Sequence, residues 1–417
     1  MKRTLTRTLT VLALVVLAAP ALATNGYFTL GYGTPYLGMA GAGQALHLNT
    51  MASATNPATI AFVKGYDVSV GLFNPNRDYT VTGNPSGYPG TFGLAPGEYS
   101  SDTSLFLMPG ISAAWHLSGN LHAGIAIYGN GGMNTDWSNP VFGQAPTGVN
   151  LMQAFVAPSI AWEIAKDQAI GIAPIFGWQS FEAKGLGAFS MFSSNPAKLT
   201  NNGKDTATGF GARIGYHGHF GENLAVGASY QTKIKMGEFK EYAGLFAEQG
   251  DFDVPENWTV GIAIMPAKGW TVALDFQEIY YSNVQSVGNP MLPNLMMAPL
   301  GADGGAGFGW KDVSVWKLGL QYEVSPKTTL RAGFAHCNQP VPESEVLFNI
   351  LAPGVIEEHV TVGFSTLLSD KSALHLAVMR ALSQSVKGPN PLEAPGQQTI
   401  ELRMDQWDVE VGFSFGF

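Results

Sequence analysis

Trp407-Asp408-Val409-Glu410-Val411-Gly412-Phe413-Ser414-Phe415-Gly416-Phe417 ends the chain, and its reading decides the fold. The odd-numbered positions are all large and apolar; the even-numbered ones are two carboxylates, a serine and two glycines. Alternation with a period of two places the two sets on opposite faces of a β-strand. A tilted strand of about 9–11 residues is long enough to cross a bilayer. An apolar row facing lipid over a polar row facing a lumen is what a transmembrane barrel strand shows. A half-buried strand of a soluble sandwich would read the same way in isolation. The rest of the chain has to decide.

Composition favours the membrane. Of the 417 residues only 13% are charged, against about 25% in an ordinary globular protein. There are 51 glycines and abundant aromatics. The 22 basic and 31 acidic residues give a formal net charge of −9, which argues against nucleic acid as a partner. Residues 1–23 read as an export signal: Lys2, Arg3 and Arg7, then the apolar run Leu9 to Leu17, then the small-residue site Ala21-Leu22-Ala23. Beyond it no apolar run reaches the ~18 residues of a membrane helix. Cys337 is the only cysteine, so an intrachain disulfide and a cysteine-based metal site are both excluded.

Short polar turns recur at Ser118-Gly119-Asn120, Lys166-Asp167-Gln168, Gly221-Glu222-Asn223, Ala267-Lys268-Gly269, Ser325-Pro326-Lys327 and Ser369-Asp370-Lys371. Strand-like alternation flanks each of them, as in a tight hairpin. Longer loops separate one hairpin from the next, the pairing of short periplasmic turns with long extracellular loops found in outer-membrane barrels. Six hairpins, one strand before and one after, make fourteen strands. The faces agree: Trp316, Leu318, Leu320, Tyr322 and Val324 oppose Lys317, Gly319, Gln321 and Glu323. A soluble sandwich would crowd its interior with apolar groups and put the charges outside. The expected fold is all-β, a 14-stranded antiparallel transmembrane β-barrel over residues 64–417.

Residues 24–63 fit neither barrel nor tail. They contain no Asp, Glu, Lys or Arg, and their centre, Leu37-Gly38-Met39-Ala40-Gly41-Ala42-Gly43, is small and apolar. A disordered tail would be polar and charged, so this segment is expected to be buried. Its glycines and alanines suit close packing inside a lumen lined by other glycines. It would form an N-terminal hatch plugging the barrel; an ordinary hairpin packed outside is the other reading. Asn56-Pro57-Ala58 marks a turn within it. Further on, Tyr128-Gly129-Asn130-Gly131-Gly132-Met133 interrupts the alternation of the third strand, and glycines so placed commonly mark a bulge.

Taken in order, Leu37–Gly43, Ser53-Ala54-Thr55-Asn56-Pro57-Ala58, Asn130-Gly131-Gly132, Pro255-Glu256-Asn257-Trp258 and Gly309-Trp310-Lys311-Asp312 resemble the FadL/TodX family of outer-membrane channels for long-chain fatty acids and other hydrophobic compounds. The likeness covers essentially the whole mature chain. It implies that the hatch plugs the barrel and that Asn56, Pro57 and Ala58 matter for transport. It also implies that the third strand kinks inward at Gly129, Asn130, Gly131 and Gly132, opening a lateral exit into the membrane. Lys311 matches a basic position near the family's ligand pocket and is a candidate head-group contact. The family's second basic position is not clearly matched, since Phe181 and Glu182 stand there with Lys184 beyond. That departure leaves neutral hydrocarbons open beside fatty acids.

Phe189, Met191, Phe192, Leu295, Met296 and Met297 make two loops unusually apolar. Methionine adapts to varied apolar shapes, so these residues are candidates for ligand capture, or they pack the loops together. His217 and His219 share a strand face, but two histidines without a third ligand predict no metal site. No hydrolase, zinc-protease or nucleotide-binding motif occurs, so neither an enzyme nor a cofactor is expected. The expected function is passive uptake of a small hydrophobic ligand by a monomer in the outer membrane of a Gram-negative bacterium. Its further partners would be the bilayer with outer-leaflet lipopolysaccharide, and the barrel-assembly machinery that a C-terminal aromatic such as Phe417 addresses. A general aqueous porin and an outer-membrane lipid-modifying enzyme are the alternatives.

Overall fold

A computed structural model describes residues 25–416. The expected export signal (1–23), Thr24 and the terminal aromatic Phe417 lie outside the described residues. Fourteen strands form the wall: β1 (Gly65–Thr82), β2 (Phe106–Ser118), β3 (Leu121–Trp137), β4 (Thr147–Ala165), β5 (Gln168–Lys184), β6 (Asp205–Phe220) and β7 (Leu224–Gln231), then β8 (Asn257–Ala267), β9 (Trp270–Ile279), β10 (Val313–Ser325), β11 (Thr328–Cys337), β12 (Glu358–Ser369), β13 (Ser372–Pro389) and β14 (Thr399–Phe415). Each pairs antiparallel with its neighbour in sequence, and β14 closes on β1 from Tyr66↔Phe415 to Thr82↔Thr399. Closure of the circle leaves no terminal strand with a free edge, the condition for strands to cross a membrane. Two short ribbons extend the wall, Gly97–Ser100 on β1 and Lys235–Met236 on β6.

The tight turns fall where the polar tripeptides predict, at one end of the barrel; the long loops gather at the other. On β14, Trp407 is 46% exposed while its neighbour Asp408 is 5% exposed, so the two faces are those of lipid and lumen. Val360 and Val362, or Ile262 and Ile264, face outward in the same way. Near the turns an aromatic girdle forms: Tyr66 stacks on Phe415 at 5.5 Å and Trp270 on Tyr322 at 4.5 Å. A second girdle lies toward the loops, where Phe276 sits 5.4 Å from Trp258 and 4.7 Å from Trp316. Aromatic belts at both interfaces are the outer-membrane pattern.

The N-terminal segment fills the lumen. It contains one helical turn, α1 (Thr34–Leu37), and two 3-10 turns, Thr50–Ala54 and Pro57–Phe62. Asn49 and Asn56 cap the latter two, each side chain accepting a backbone N–H from two residues on, and Pro57 takes the first position of its turn. Glycines of the wall admit this backbone. A Cβ on Gly227 would stand 2.0 Å from the carbonyl oxygen of Gln44, and one on Gly333 would stand 2.3 Å from the carbonyl carbon of Met39. The close packing anticipated from the glycines of both partners is therefore present.

Candidate functional site

The hatch carries no charge of its own, and charged groups of the wall hold it. Asp275 on β9 accepts the backbone N–H groups of Gly43 and Gln44 at 2.7 and 2.8 Å. Asp67 on β1 accepts from the backbone and hydroxyl of Thr50 at 2.8 and 2.5 Å. Glu410 on β14 accepts from the Thr34 hydroxyl at 2.5 Å, and Lys317 on β10 donates to the Leu30 carbonyl at 2.9 Å. All four side chains are buried. A buried charge is tolerated only when hydrogen-bonded, and here backbone groups and threonine hydroxyls of the hatch supply the bonds. Alternation along the strands shows that these groups face inward, but nothing in it shows what they meet.

Asn56-Pro57-Ala58 lies against β5 and β6. The Asn56 amide donates to the carbonyl oxygens of Tyr216 (2.9 Å) and Gln44 (3.1 Å), and its side-chain oxygen accepts the Ala58 N–H at 3.1 Å. Opposite is Gly215, where a Cβ would come within 2.1 Å of Asn56 Oδ1; a Cβ on Gly171 would meet the Pro57 carbonyl carbon at 2.4 Å. The turn thus joins two parts of the hatch to the wall through one side chain.

The third strand departs from its neighbour where its glycines begin. β2 pairs with β3 from the turn as far as Gly110↔Tyr128, although β2 itself runs on to Phe106 beside β1. β3 keeps its pairing with β4 to Trp137↔Thr147, with a register shift between Gly129 and Gly131. Past Tyr128, β3 therefore leaves β2. The carbonyl of Asn130 accepts the Thr29 N–H of the hatch at 2.9 Å, and its side-chain oxygen accepts the Tyr32 hydroxyl at 2.7 Å. From Asn130 a line of amides runs on: to Gln153 at 3.1 Å, to Gln179 at 3.2 Å, and to the Phe252 carbonyl at 3.1 Å. A cavity of about 30 Å³ beside the break is lined by Tyr32, Met51, Met108, Pro109, Tyr128 and Gly129, among others.

Phe252 belongs to an aromatic cage where the hatch meets the loops. Tyr27 lies 5.9 Å from Phe252, 5.0 Å from Tyr281 and 5.7 Å from Trp310, and Phe246 lies 4.9 Å from Phe252. The Tyr281 hydroxyl donates to the Asn25 carbonyl at 2.5 Å, and burial lifts the Tyr27 and Tyr281 phenols well above their usual range. Acids border the cage. Burial, then the neighbouring Asp253 and Glu248, push Asp251 up to about 7. Burial also raises Glu345, against the opposing effects of the Met291 N–H, Ser344 and Lys311. The composition of this cage was not legible in advance, since its members come from the hatch and two separate loops.

The loop candidates divide. Met191, Met296 and Met297 are exposed, at 79%, 66% and 80%. Phe189 and Leu295 are buried, Phe189 against Phe92, Phe142 and Phe348 at 4.6, 5.0 and 5.1 Å. Phe192 is half-buried, and its carbonyl accepts the Leu300 N–H at 2.7 Å, joining the two loops. Lys311 is exposed, while the adjacent Trp310 is buried in the cage.

The structure also brings a third histidine to His217 and His219. It is His47, from the hatch, and the candidate ligand nitrogens of all three lie within 4.8 Å of one another. Nothing local could have signalled this meeting, because His47 is 170 positions before His217.

The sequence matches the profile of a family described as outer membrane protein transport protein (OMPP1/FadL/TodX) over residues 14–390. Among curated proteins no sequence match is found. Among solved structures, the toluene transporter TodX of Pseudomonas putida is 19% identical and covers 94% of this chain and 100% of its own, with a TM-score of 0.69. A Pseudomonas aeruginosa FadL homologue is 14% identical, covering 94% and 99% with a TM-score of 0.68. The Ralstonia pickettii toluene transporter TbuX is 18% identical, covering 93% and 99% with a TM-score of 0.61. At these identities the likeness establishes a shared fold.

Proposed function

The chain belongs to the outer membrane protein transport family OMPP1/FadL/TodX and resides in the outer membrane of Gram-negative bacteria, and from that premise we propose a specific route and ligand class. The route is passive: capture at the exposed methionines of the loops, passage through the aromatic cage, hatch rearrangement, and lateral release between β2 and β3. The single observation that supports it most is the break past Gly110↔Tyr128, where the hatch takes the hydrogen-bonding place that β2 has given up. Backbone groups unpaired at membrane depth are tolerated only where protein or water covers them, so a break kept covered by a movable segment has the form of a side door. The space beside it, about 30 Å³, is far below the roughly 150 Å³ that accepts a benzene molecule. Passage therefore requires the hatch to shift. An apolar solute gains nothing from release into aqueous periplasm and gains its full transfer energy in the bilayer.

The ligand class favoured is neutral hydrocarbon, aromatic compounds included, which agrees with the toluene that the TodX and TbuX structures are named for. The cage offers ring faces and edges bordered by Asp251, Asp253 and Glu345; of the nearby cations, Lys233 lies 4.0 Å from Asp253 and Lys311 is exposed outside the cage. A carboxylate head group would meet like charge there. The test is uptake of labelled toluene and labelled oleate by cells expressing the full chain or a chain lacking Asn56-Pro57-Ala58. Toluene uptake above that of oleate, abolished in the deletion while the barrel still shows heat-modifiable mobility, is expected. Normal uptake by the deletion overturns the hatch role; preference for oleate overturns the ligand class.

A further inference from the structure

Where the hatch leaves the wall of β6 toward the tight-turn end, three imidazoles converge. His217 and His219 project into the lumen from one face of β6, two residues apart, and His47 approaches them from the hatch. The ring centroids are 5.1 Å apart for His217–His219, 5.6 Å for His47–His217 and 5.7 Å for His47–His219. Phe62 backs the group, 5.0 Å from His217 and 5.5 Å from His47.

His217 has 0% exposure, and neither of its ring nitrogens has a hydrogen-bond partner among the described residues. A buried polar group left unpartnered is destabilising, because it has lost its water and gained no replacement. His47 and His219 are half-buried and open the group toward the tight-turn end. A stacked aromatic cluster alone would not account for a buried imidazole with both nitrogens idle.

We propose that His47, His217 and His219 form a binding site for one divalent transition-metal ion of borderline softness, Zn²⁺ or Cu²⁺, tying the hatch to the barrel wall. Three neutral imidazoles with a fourth position open is a recognised ligand set for such ions. At Zn–N distances of ~2.0–2.1 Å, ligand nitrogens stand roughly 3.3 Å apart. The spacing here, within 4.8 Å, closes by side-chain rotation of the two half-buried rings. Among the described residues no carboxylate hydrogen-bonds to the rings, and lacking such support lowers affinity by about 10–100-fold, so binding weaker than at a fully supported three-histidine site is expected.

The location gives the ion a consequence. Tyr216, next to His217, offers the carbonyl that Asn56 holds, and Gly215 makes room for the Asn56 side chain. Metal bound at the three histidines would pin the hatch beside the turn whose movement the proposed transport requires. This second step rests on the transport reading above; the binding step does not.

Isothermal titration of the chelator-stripped full chain in detergent with ZnCl₂ tests the binding. One ion per chain is expected, with affinity at least tenfold weaker in His47→Ala and in His219→Gln; heat-modifiable mobility would show that both variants remain folded. A stoichiometry well below one, or affinity unchanged in both folded variants, overturns the site. Toluene uptake by chelator-washed cells, with and without added Zn²⁺, tests the consequence. Inhibition of several-fold in the native chain and none in His47→Ala is expected. One-to-one binding without inhibition keeps the site and overturns its control of the hatch. Absence of hatch-dependent uptake in metal-free buffer would instead fault the transport reading.

Discussion

Thr29 donates its backbone N–H to the carbonyl oxygen of Asn130 at 2.9 Å, so that a residue of the hatch completes a strand of the wall. Hatch and break are thereby one device: neither can move without changing the other's hydrogen bonds. The amide line from Asn130 through Gln153 and Gln179 extends the coupling to Phe252 and the cage.

Gly215→Val should disable transport without unfolding the barrel. The added carbon would collide with Asn56 Oδ1, which a Cβ already meets at 2.1 Å. Loss of the Asn56 bonds, about 0.5–1.5 kcal/mol each, would displace the turn. Toluene uptake is expected to fall at least several-fold with heat-modifiable mobility unchanged; uptake at the native rate would show that the turn's position is unimportant.

Asp275→Asn should loosen the hatch selectively. It weakens two charge-assisted bonds to Gly43 and Gln44, of a kind that contributes about 1.5–3 kcal/mol each. Hydrogen exchange at those two amides should accelerate by at least tenfold, while the amides of β9 and β10 stay protected. Uniform acceleration along the strands would mean that Asp275 supports the wall instead.

The loop around Phe252 should weaken as pH rises from about 4 to about 7. Asp251 is raised to about 7 by burial, then by Asp253 and Glu248, against about 3.9 in an unfolded chain. Between these values the opened loop binds fewer protons than the closed one, so closure loses stability with increasing pH. Exchange of the 246–254 amides, corrected for intrinsic rates, should show greater protection at pH 5 than at pH 8. Asp251→Asn should flatten that dependence; an unchanged slope would assign it to another group.

Methionine and phenylalanine substitutions should separate capture from packing. Replacing the exposed Met191, Met296 and Met297 with Ser should lower uptake at limiting toluene and leave thermal stability unaltered. Phe189→Ala should instead destabilise the loops by about 3–5 kcal/mol, the usual cost of removing a buried phenyl, visible as a lowered first melting transition. Equal uptake by the methionine variant and the native chain would remove these residues from the capture step.

The barrel was legible because its signals are local. Alternation along Trp407–Phe417 and a tripeptide such as Ser325-Pro326-Lys327 report on neighbours in sequence, and each turn lies where it was expected. The neutral composition of 24–63 pointed to burial, and the glycines at 129–132 to a bulge, for the same reason. Contacts across the lumen have no such signature. Asp275 with Gly43, His217 with His47 and Tyr281 with Tyr27 join residues far apart, and no period connects them. Burial within loops was equally hidden: Phe189 and Met191 look alike in sequence and differ completely in exposure.

The seam between β14 and β1 has a bearing on how the molecule is made. Thr34, near the start of the hatch, bonds Glu410 on β14, and Asp67 on β1 accepts bonds from both Thr50 and the Ser414 hydroxyl. Thr34 therefore finds this partner only in the last strand. Until the final strand is zipped to the first, the Thr34–Glu410 and Ser414–Asp67 bonds have nowhere to form, whereas Thr50 can already reach Asp67. The Thr34 end of the hatch is then the part whose seating waits for the circle to be complete.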